Sequence, residues 1–399
     1  MNRSLWLLAL CQGLFLTNNV TFIAINGLVG LSMAPYGWMA TLPVMGYVVG
    51  GALATPLVAA TQARFGRRTS FQIGLAVAVA SALAGAWAVA AHQFWGLVAA
   101  TVVAGYYSAN GQLYRFAAAE LALPAFREKA VSLVLAGGLI GAIAGPNLAA
   151  RTRTVMEVPF TGAYLVLAGV GLLAMVLMAF VRFPAHQAPN AATSTGRPLS
   201  EIAQQPAFVV ACLSAAMGYG VMNLLMAATP LAMQQCGLGF DDAAFVLEWH
   251  VIGMFAPGFF TGHLIKRFGT LHIMAVGVAL NLLCVAIALS GVELQQFVLS
   301  LFLLGVGWNF LFTGSTTLAL DTYTPEEKDR AQGAINFFTF AVLALSSFAS
   351  GALVTTRGWT LLNLGSLLPV VLTGAALLWL ALHRRDRHNL IDRKSTRLN

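Results

Sequence analysis

The chain has 399 residues, of which 58% are hydrophobic and only 9% charged, with a formal net charge of +8. A soluble domain carries about 25% charged residues, so this composition, with a mean hydropathy of +0.78, excludes an ordinary water-soluble fold. It points to a lipid bilayer as the main partner. The excess of Lys and Arg sits in short segments between apolar runs and forms no nucleic-acid-binding face, so no nucleic-acid partner is expected.

In chain order, the first sixty residues after Arg3 contain no Asp, Glu, Lys or Arg until Arg64. A hydrocarbon core of ~30 Å is crossed by ~20 apolar residues in a helix, so this run predicts two spans, 4–31 and 37–62. The turn between them falls at Ala34-Pro35-Tyr36-Gly37. The following charge-free runs predict spans at 70–91, 94–118, 129–150, 159–182, 206–234, 241–265, 271–290, 294–319, 331–355 and 359–382, twelve in all. A turn near His92 separates the third from the fourth. Helices are expected because a span must satisfy its backbone polar groups internally, and the alternation of barrel strands is absent. With the N-terminus inside, nineteen of the 22 Lys and Arg lie on the cytoplasmic side, and only Arg151, Arg153 and Arg357 lie outside. That bias predicts a multi-pass protein of the bacterial inner membrane with both termini cytoplasmic. The first apolar run is too long for a signal peptide. Cys11, Cys212, Cys236 and Cys284 show no paired spacing and read as packing residues.

Two segments recur at nearly one offset. Arg64-Phe65-Gly66 follows the second span and Arg267-Phe268-Gly269 follows the eighth, 203 positions later. Glu120 to Pro124 follows the fourth span and is answered by Asp321 to Pro325 after the tenth, at an offset of 201. The chain therefore reads as two pseudo-symmetric six-helix bundles, 1–182 and 206–385, with a polar linker at 183–205 and a basic tail at 386–399. The tail suits anionic lipid headgroups.

The stretch Ala59 to Arg68, ending Arg-Phe-Gly-Arg-Arg, resembles the loop 2–3 signature Gly-x-x-x-Asp-Arg-x-Gly-Arg-Arg of the major facilitator superfamily, and Gly262 to Gly269 resembles its weaker copy. The resemblance implies the twelve-helix fold of that superfamily and a clamp between the halves. Arg64, Gly66, Arg67, Arg68, Arg267 and Gly269 would take conformational roles, or the arginines would serve only as topology anchors. Ala63 and Ala59 replace the family's Asp and Gly, so the clamp is weaker or differently made. In the fifth span, Gly137 to Pro146 resembles the superfamily's antiporter motif, with Gly145 and Pro146 at its end and Ala149 and Ala150 in place of the final glycines. Generic close packing of small residues reads the same stretch equally well. The family's Arg in the outer part of the fourth span is missing.

Polar residues inside spans face a partner or a wet cavity. Gln12, Asn19 and Asn26 recur every seven residues and form one stripe of the first helix, read as cavity lining or as interhelical bonding. Tyr107, Asn110 and Tyr114 form a second stripe in the fourth span, with Arg115 following near its cytoplasmic end. Trp308 and Asn309 lie in the tenth, where Trp308 matches Tyr107 under the repeat; facing rings would suit a flat, partly aromatic solute. Asn223 and Asn336 could complete the lining. Glu248 and His250 are the ionisable residues well inside a helix and are candidates to carry a coupling proton. Two residues apart, they point to different faces and are not one dyad.

No phosphate-binding loop, nucleophilic triad or metal-ligand spacing is present in the sequence. The expectation is a secondary active transporter, not an enzyme, with no cofactor. It would move a small organic solute by alternating access as a monomer, coupled to protons. Alternatives are a drug or metabolite efflux antiporter and a vitamin permease, since His250 to Gly262 and Tyr114-Arg115-Phe116 resemble bacterial permeases proposed for riboflavin. A non-transporting receptor of the same fold is the reading from another class.

Overall fold

The computed structural model describes residues 3–123, 130, 133–134, 137–183, 196–324 and 327–395. Most of the linker, the start of the fifth expected span and the extreme tail lie outside the described residues, as do the side chains of Ala59, Ala63 and Arg115.

Every regular element described is helical. The first half contains α1 (Arg3–Met33), α2 (Leu42–Ala90), α3 (Phe94–Gly111), α4 (Tyr114–Leu121), α5 (Gly138–Thr152) and α6 (Thr161–Ala179). A short α7 (Leu199–Ile202) closes the linker. The second half contains α8 (Pro206–Gln235), α9 (Phe240–Phe255), α10 (Gly258–Phe268), α11 (Thr270–Ser290), α12 (Leu294–Leu320) and α13 (Lys328–Ser395).

Eight of the described helices are long and apolar enough to cross a membrane, or nine if the bent pair α9–α10 is one span. The shortfall from twelve has local causes. The fourth expected span is broken at Gln112-Leu113 into α3 and α4, and the fifth is described only in part. Residues 333–385 form one run of 53; at ~1.5 Å per residue this is far longer than a bilayer is thick. It is divided at Gly358, where φ is 78° and ψ 176°. The expected span 241–265 bends by 42° at Pro257, whose ring removes a backbone donor and clashes with the preceding turn.

The repeat has a structural counterpart. Gly66 divides α2 with φ 76° and ψ 172°, and Gly269 ends α10 with φ 88° and ψ 150°. Only glycine adopts such angles without strain, so each Arg-Phe-Gly triplet turns the chain sharply. In both copies the arginine guanidinium lies 5.2 Å over the ring of the next phenylalanine.

Small residues bring the helices together. A Cβ on Gly105 would strike the backbone of Gly50 where α3 crosses α2, and one on Gly141 would strike Leu16 and Thr17 where α5 crosses α1. Without a hydrophobic drive between helices in lipid, this close backbone packing is a main source of association. Between the halves, α2 packs on α13 and α5 packs on α9. Under the repeat these two contacts exchange, which is the signature of a pseudo-twofold axis between the bundles.

Among the described residues, the polar contacts joining the halves sit at the end away from the linker. Thr41 Oγ1 donates to the Ser347 carbonyl at 2.6 Å and accepts from Gly351 N–H at 3.1 Å. Asn147 Nδ2 donates to Glu248 Oε2 at 3.1 Å, and Arg153 approaches Asp241 to 3.9 Å. At the linker end the described ion pairs stay within one half. Arg67 bonds Glu120 at 2.5 Å and also Gln62. Arg197 grips Glu327 through Nε and Nη2, both at 2.8 Å, tying the end of the linker to the second half. These bonds hold the Glu327 carboxyl down at about 2.

Candidate functional site

Between the halves lies a cavity of about 300 Å³. From the first half, α1 contributes Gln12, Phe15 and Asn19, α2 contributes Tyr47, and the broken end of α3 contributes Ser108, Gly111 and the adjoining Gln112. The second half contributes Tyr219, Met222, Asn223 and Met226 from α8, Phe255 and Phe259 beside the Pro257 bend, Trp308, Asn309 and Phe312 from α12, and Phe340 from α13. Among the described lining residues none is Asp, Glu, Lys, Arg or His.

The amides divide into tied and free. Asn19 Nδ2 donates to the Tyr47 hydroxyl at 3.3 Å. Asn309 is held at both ends, donating to the Met254 carbonyl and accepting from Thr261 Oγ1, each at 2.7 Å. Asn223 Nδ2 donates to Ser347 Oγ at 2.7 Å and Ser346 Oγ at 2.9 Å. By contrast, no side-chain bond is made by Gln12 or Gln112 among the described residues, and buried Trp308 Nε1 has no acceptor. The indole is fixed by packing. It stacks on Phe312 at 5.0 Å and 13°, and meets Tyr219 edge-on at 5.2 Å.

Gln12, Asn19, Asn223, Trp308 and Asn309 thus reach the cavity, and the other expected lining residues do not. Asn26 is fully buried, donates to the Phe22 carbonyl at 2.7 Å and accepts from the Tyr164 hydroxyl at 2.8 Å. Asn110 accepts from Ser70 Oγ at 3.1 Å. Tyr107 and Tyr114 are buried around Phe15, at 5.3 and 6.1 Å between ring centroids, so Tyr107 does not face Trp308 across an open space. Asn336 is exposed on α13 about one turn short of Phe340, which does line the cavity. Tyr47, Tyr219, Phe255 and Phe312 are lining residues that the polar-stripe reading passed over; the tyrosines within uncharged runs were the available cue.

Glu248 and His250 face apart, as their spacing requires. Glu248 bridges to Asn147 in the other half. His250 is buried against α12, with Nδ1 2.6 Å from the Leu301 carbonyl. A carbonyl only accepts, so Nδ1 carries the proton. Neither residue lines the cavity. Of the loop arginines, Arg68 donates to the Ala179 carbonyl at 2.5 Å, and all the described bonds of Arg67 and Arg68 remain inside the first half. Gly145 and Pro146 are buried; the Gly145 carbonyl accepts from Thr21 Oγ1 at 2.9 Å, and a Cβ there would meet Val20, so this stretch of α5 is a packing face against α1.

The family model of the Major Facilitator Superfamily matches residues 5–256 and 211–398. The chain belongs to the major facilitator superfamily. As a member it is a multi-span membrane protein and a secondary transporter. It is similar to the riboflavin transporter RfnT of Brucella anthropi, 38% identical over 363 residues, covering 90% of this chain and 91% of that protein. It is also similar to the uncharacterized MFS-type transporter YddS of Bacillus subtilis, 26% identical, covering 90% and 86%. In fold it resembles the nucleoside transporter NupG, with a TM-score of 0.72 at 12% identity over 94% of this chain and 99% of that one. The human organic anion transporter MFSD10 gives 0.67 at 14% identity, over 94% and 100%.

Proposed function

We propose that this transporter carries a neutral, flat heteroaromatic solute of the riboflavin class into the cytoplasm, by alternating access across the bacterial inner membrane. The observation that supports it most is the cavity: rings from both halves, free amides and no charge. An isoalloxazine presents an aromatic face and an imide edge of alternating acceptors and a donor. Tyr47, Tyr219, Trp308 and Phe312 offer faces and edges for stacking. Gln12 and Gln112 each offer a donor and an acceptor, the complement of an imide. The 38% identity with a transporter named for riboflavin, over an alignment covering nine-tenths of the chain, supports the same reading.

Coupling to protons would run through Glu248. Its carboxylate is held by an amide of the opposite half, so protonation, which turns an acceptor-only group into a donor, changes a bond that crosses the moving interface. Both termini would lie in the cytoplasm, on the strength of the Lys and Arg bias, and a reporter fused after Arg385 would be active only there.

The test is riboflavin flux into proteoliposomes, followed by flavin fluorescence, with and without an inward proton gradient. Saturable uptake that the gradient enhances is expected. No saturable flux above protein-free liposomes would overturn the proposal in favour of a different solute or a non-transporting role. Saturable exchange that ignores the gradient would keep the substrate and remove the coupling.

A further inference from the structure

We propose that a second cavity, at the end away from the linker, is a separate binding site for a compact aromatic solute carrying one anionic group, and that its occupant holds the two halves together at that end. This cavity measures about 580 Å³ and shares no lining residue with the central one. Its walls come from both halves: His92, Arg153 and Phe160 from the first, Pro230, Gln234 and Phe240 from the second.

Three observations carry the assignment. The first is an unused fork of donors. The Arg153 guanidinium lies 5.1 Å over the Phe240 ring, a cation–π contact that holds it at the cavity wall. Its nearest carboxylate oxygen, on Asp241, is 3.9 Å away, beyond hydrogen-bond reach, and that aspartate side chain is 76% exposed. No side-chain hydrogen bond is made by Arg153 among the described residues. A guanidinium held at the wall with open donors is a receptor for a carboxylate or phosphate ester. Arg153 is also the one formally charged residue of the described lining. The neighbouring Asp242 is occupied, accepting from Gly239 N–H at 3.0 Å, and Glu157 is exposed off the wall.

The second is an aromatic wall. The Phe160 and Phe240 rings meet at 5.6 Å and 57°, one from each half, so an aromatic body touching both contacts both bundles. The third is backbone strain. Phe160 (φ 70°), a bulky residue on the cavity wall, holds a positive φ; His92 (φ 51°), also lining, takes its positive φ from the cap that ends α2, where Gln93 N–H donates to the Ala88 carbonyl at 2.8 Å. Such conformations persist where the surroundings enforce them and gather at ligand sites.

A ligand touching both halves binds the joined state better than the parted one, and so must shift the equilibrium toward the joined state. Occupancy is therefore expected to slow the transport cycle without competing for the central cavity. This does not depend on which solute the central cavity carries.

The experiment uses the full chain in lipid nanodiscs and a matched pair of probes, 2-naphthoate and 2-naphthylmethanol, titrated calorimetrically. Naphthoate should bind at least tenfold more tightly than the alcohol. Arg153→Gln should reduce it to the level of the alcohol, Arg153→Lys should restore part of the difference, and Gln12→Leu in the central cavity should leave it unchanged. Labelling of a cysteine placed behind the closed end should slow when naphthoate is bound. Equal binding of acid and alcohol, no binding of either, naphthoate binding insensitive to Arg153→Gln, or its loss in Gln12→Leu would each overturn the proposal.

Discussion

Thr41 offers the most direct test of whether the joined end parts during transport. Its hydroxyl is fully buried and makes two bonds to the opposite half, to the Ser347 carbonyl at 2.6 Å and from Gly351 N–H at 3.1 Å. Thr41→Val keeps the shape and removes both. Interhelical side-chain bonds in membrane bundles average ~0.6 kcal/mol, so two give ~1.2 kcal/mol, a shift of about eightfold in the ratio of parted to joined states. Gly351→Ala should act in the same direction and more strongly, because a Cβ there would overlap Thr41 Oγ1. The assay is labelling of Val44→Cys, one turn inward on the cavity wall, with the exposed Cys236 replaced by serine. A membrane-impermeant maleimide added at the joined end should react about eightfold faster in Thr41→Val. Unchanged labelling rates in both variants, with melting temperatures showing both folded, would refute the idea that this contact gates the cavity.

Other outcomes follow from single contacts. Flavin mononucleotide should bind the central cavity at least ~100-fold more weakly than riboflavin, because a buried phosphate without a counter-charge costs several kcal/mol; competition against riboflavin fluorescence measures it. Asn26→Ala should lower stability by about 1 kcal/mol through the lost Tyr164 bond, read as a fall in melting temperature, and leave riboflavin affinity unaltered, whereas Gln12→Ala should do the reverse. Glu248→Gln should still exchange solute but fail to accumulate it under a proton gradient; accumulation equal to wild type would remove Glu248 from coupling. Glu327, held at about 2 against an ordinary 4.5, binds its proton less readily folded than unfolded. Its stabilisation is therefore present above pH 4.5 and fades as pH falls toward 2, so the melting-temperature gap between wild type and Glu327→Gln should be constant above pH 5 and close below it.

The spans were readable because the bilayer imposes a rule that composition reports directly. A run without charge must be a helix, and α1, α6, α8, α11 and α12 lie within a few residues of their expected bounds. The turns at Gly66 and Gly269 were readable as a repeat. Their shared left-handed backbone explains why both copies keep glycine. The breaks were harder to see. Pro257 was visible, but membrane helices often carry proline inside a continuous span, and nothing in the composition separates that case from a 42° bend. At Gln112-Leu113 the one marker of the interruption between α3 and α4 is Gly111, and glycines elsewhere in these spans, such as Gly105, sit inside continuous helix.

The cavity lining was only partly readable, and the reason is geometric. Seven residues do not make two whole turns, so a stripe with that period drifts by ~20° per step. Gln12 and Asn19 remain on the cavity face, and by Asn26 the side chain has turned to Tyr164 on α6. In the Tyr107, Asn110 and Tyr114 stripe the polar groups point to Ser70 and the Phe15–Phe71 cluster, because an amide in lipid is satisfied as well by a neighbouring helix as by a wet cavity. Polarity alone cannot distinguish these fates. Among the expected lining residues, Gln12, Trp308 Nε1 and the Tyr114 hydroxyl have no described bonding partner, and of these Gln12 and Trp308 touch the cavity while Tyr114 does not. Asn26, Asn110 and Asn309 are each bonded at both ends of the amide, and of these only Asn309 touches the cavity. Unmet hydrogen-bonding capacity on the cavity wall is therefore the better guide to what the solute must supply. Gln12 and Gln112 ask for both a donor and an acceptor, and Trp308 asks for an acceptor. A neutral ring with an imide edge supplies one donor and two acceptors, enough in number for one of the glutamines and the indole, whereas a purely hydrocarbon solute would leave all of them unpaired at a cost comparable to a lost buried hydrogen bond.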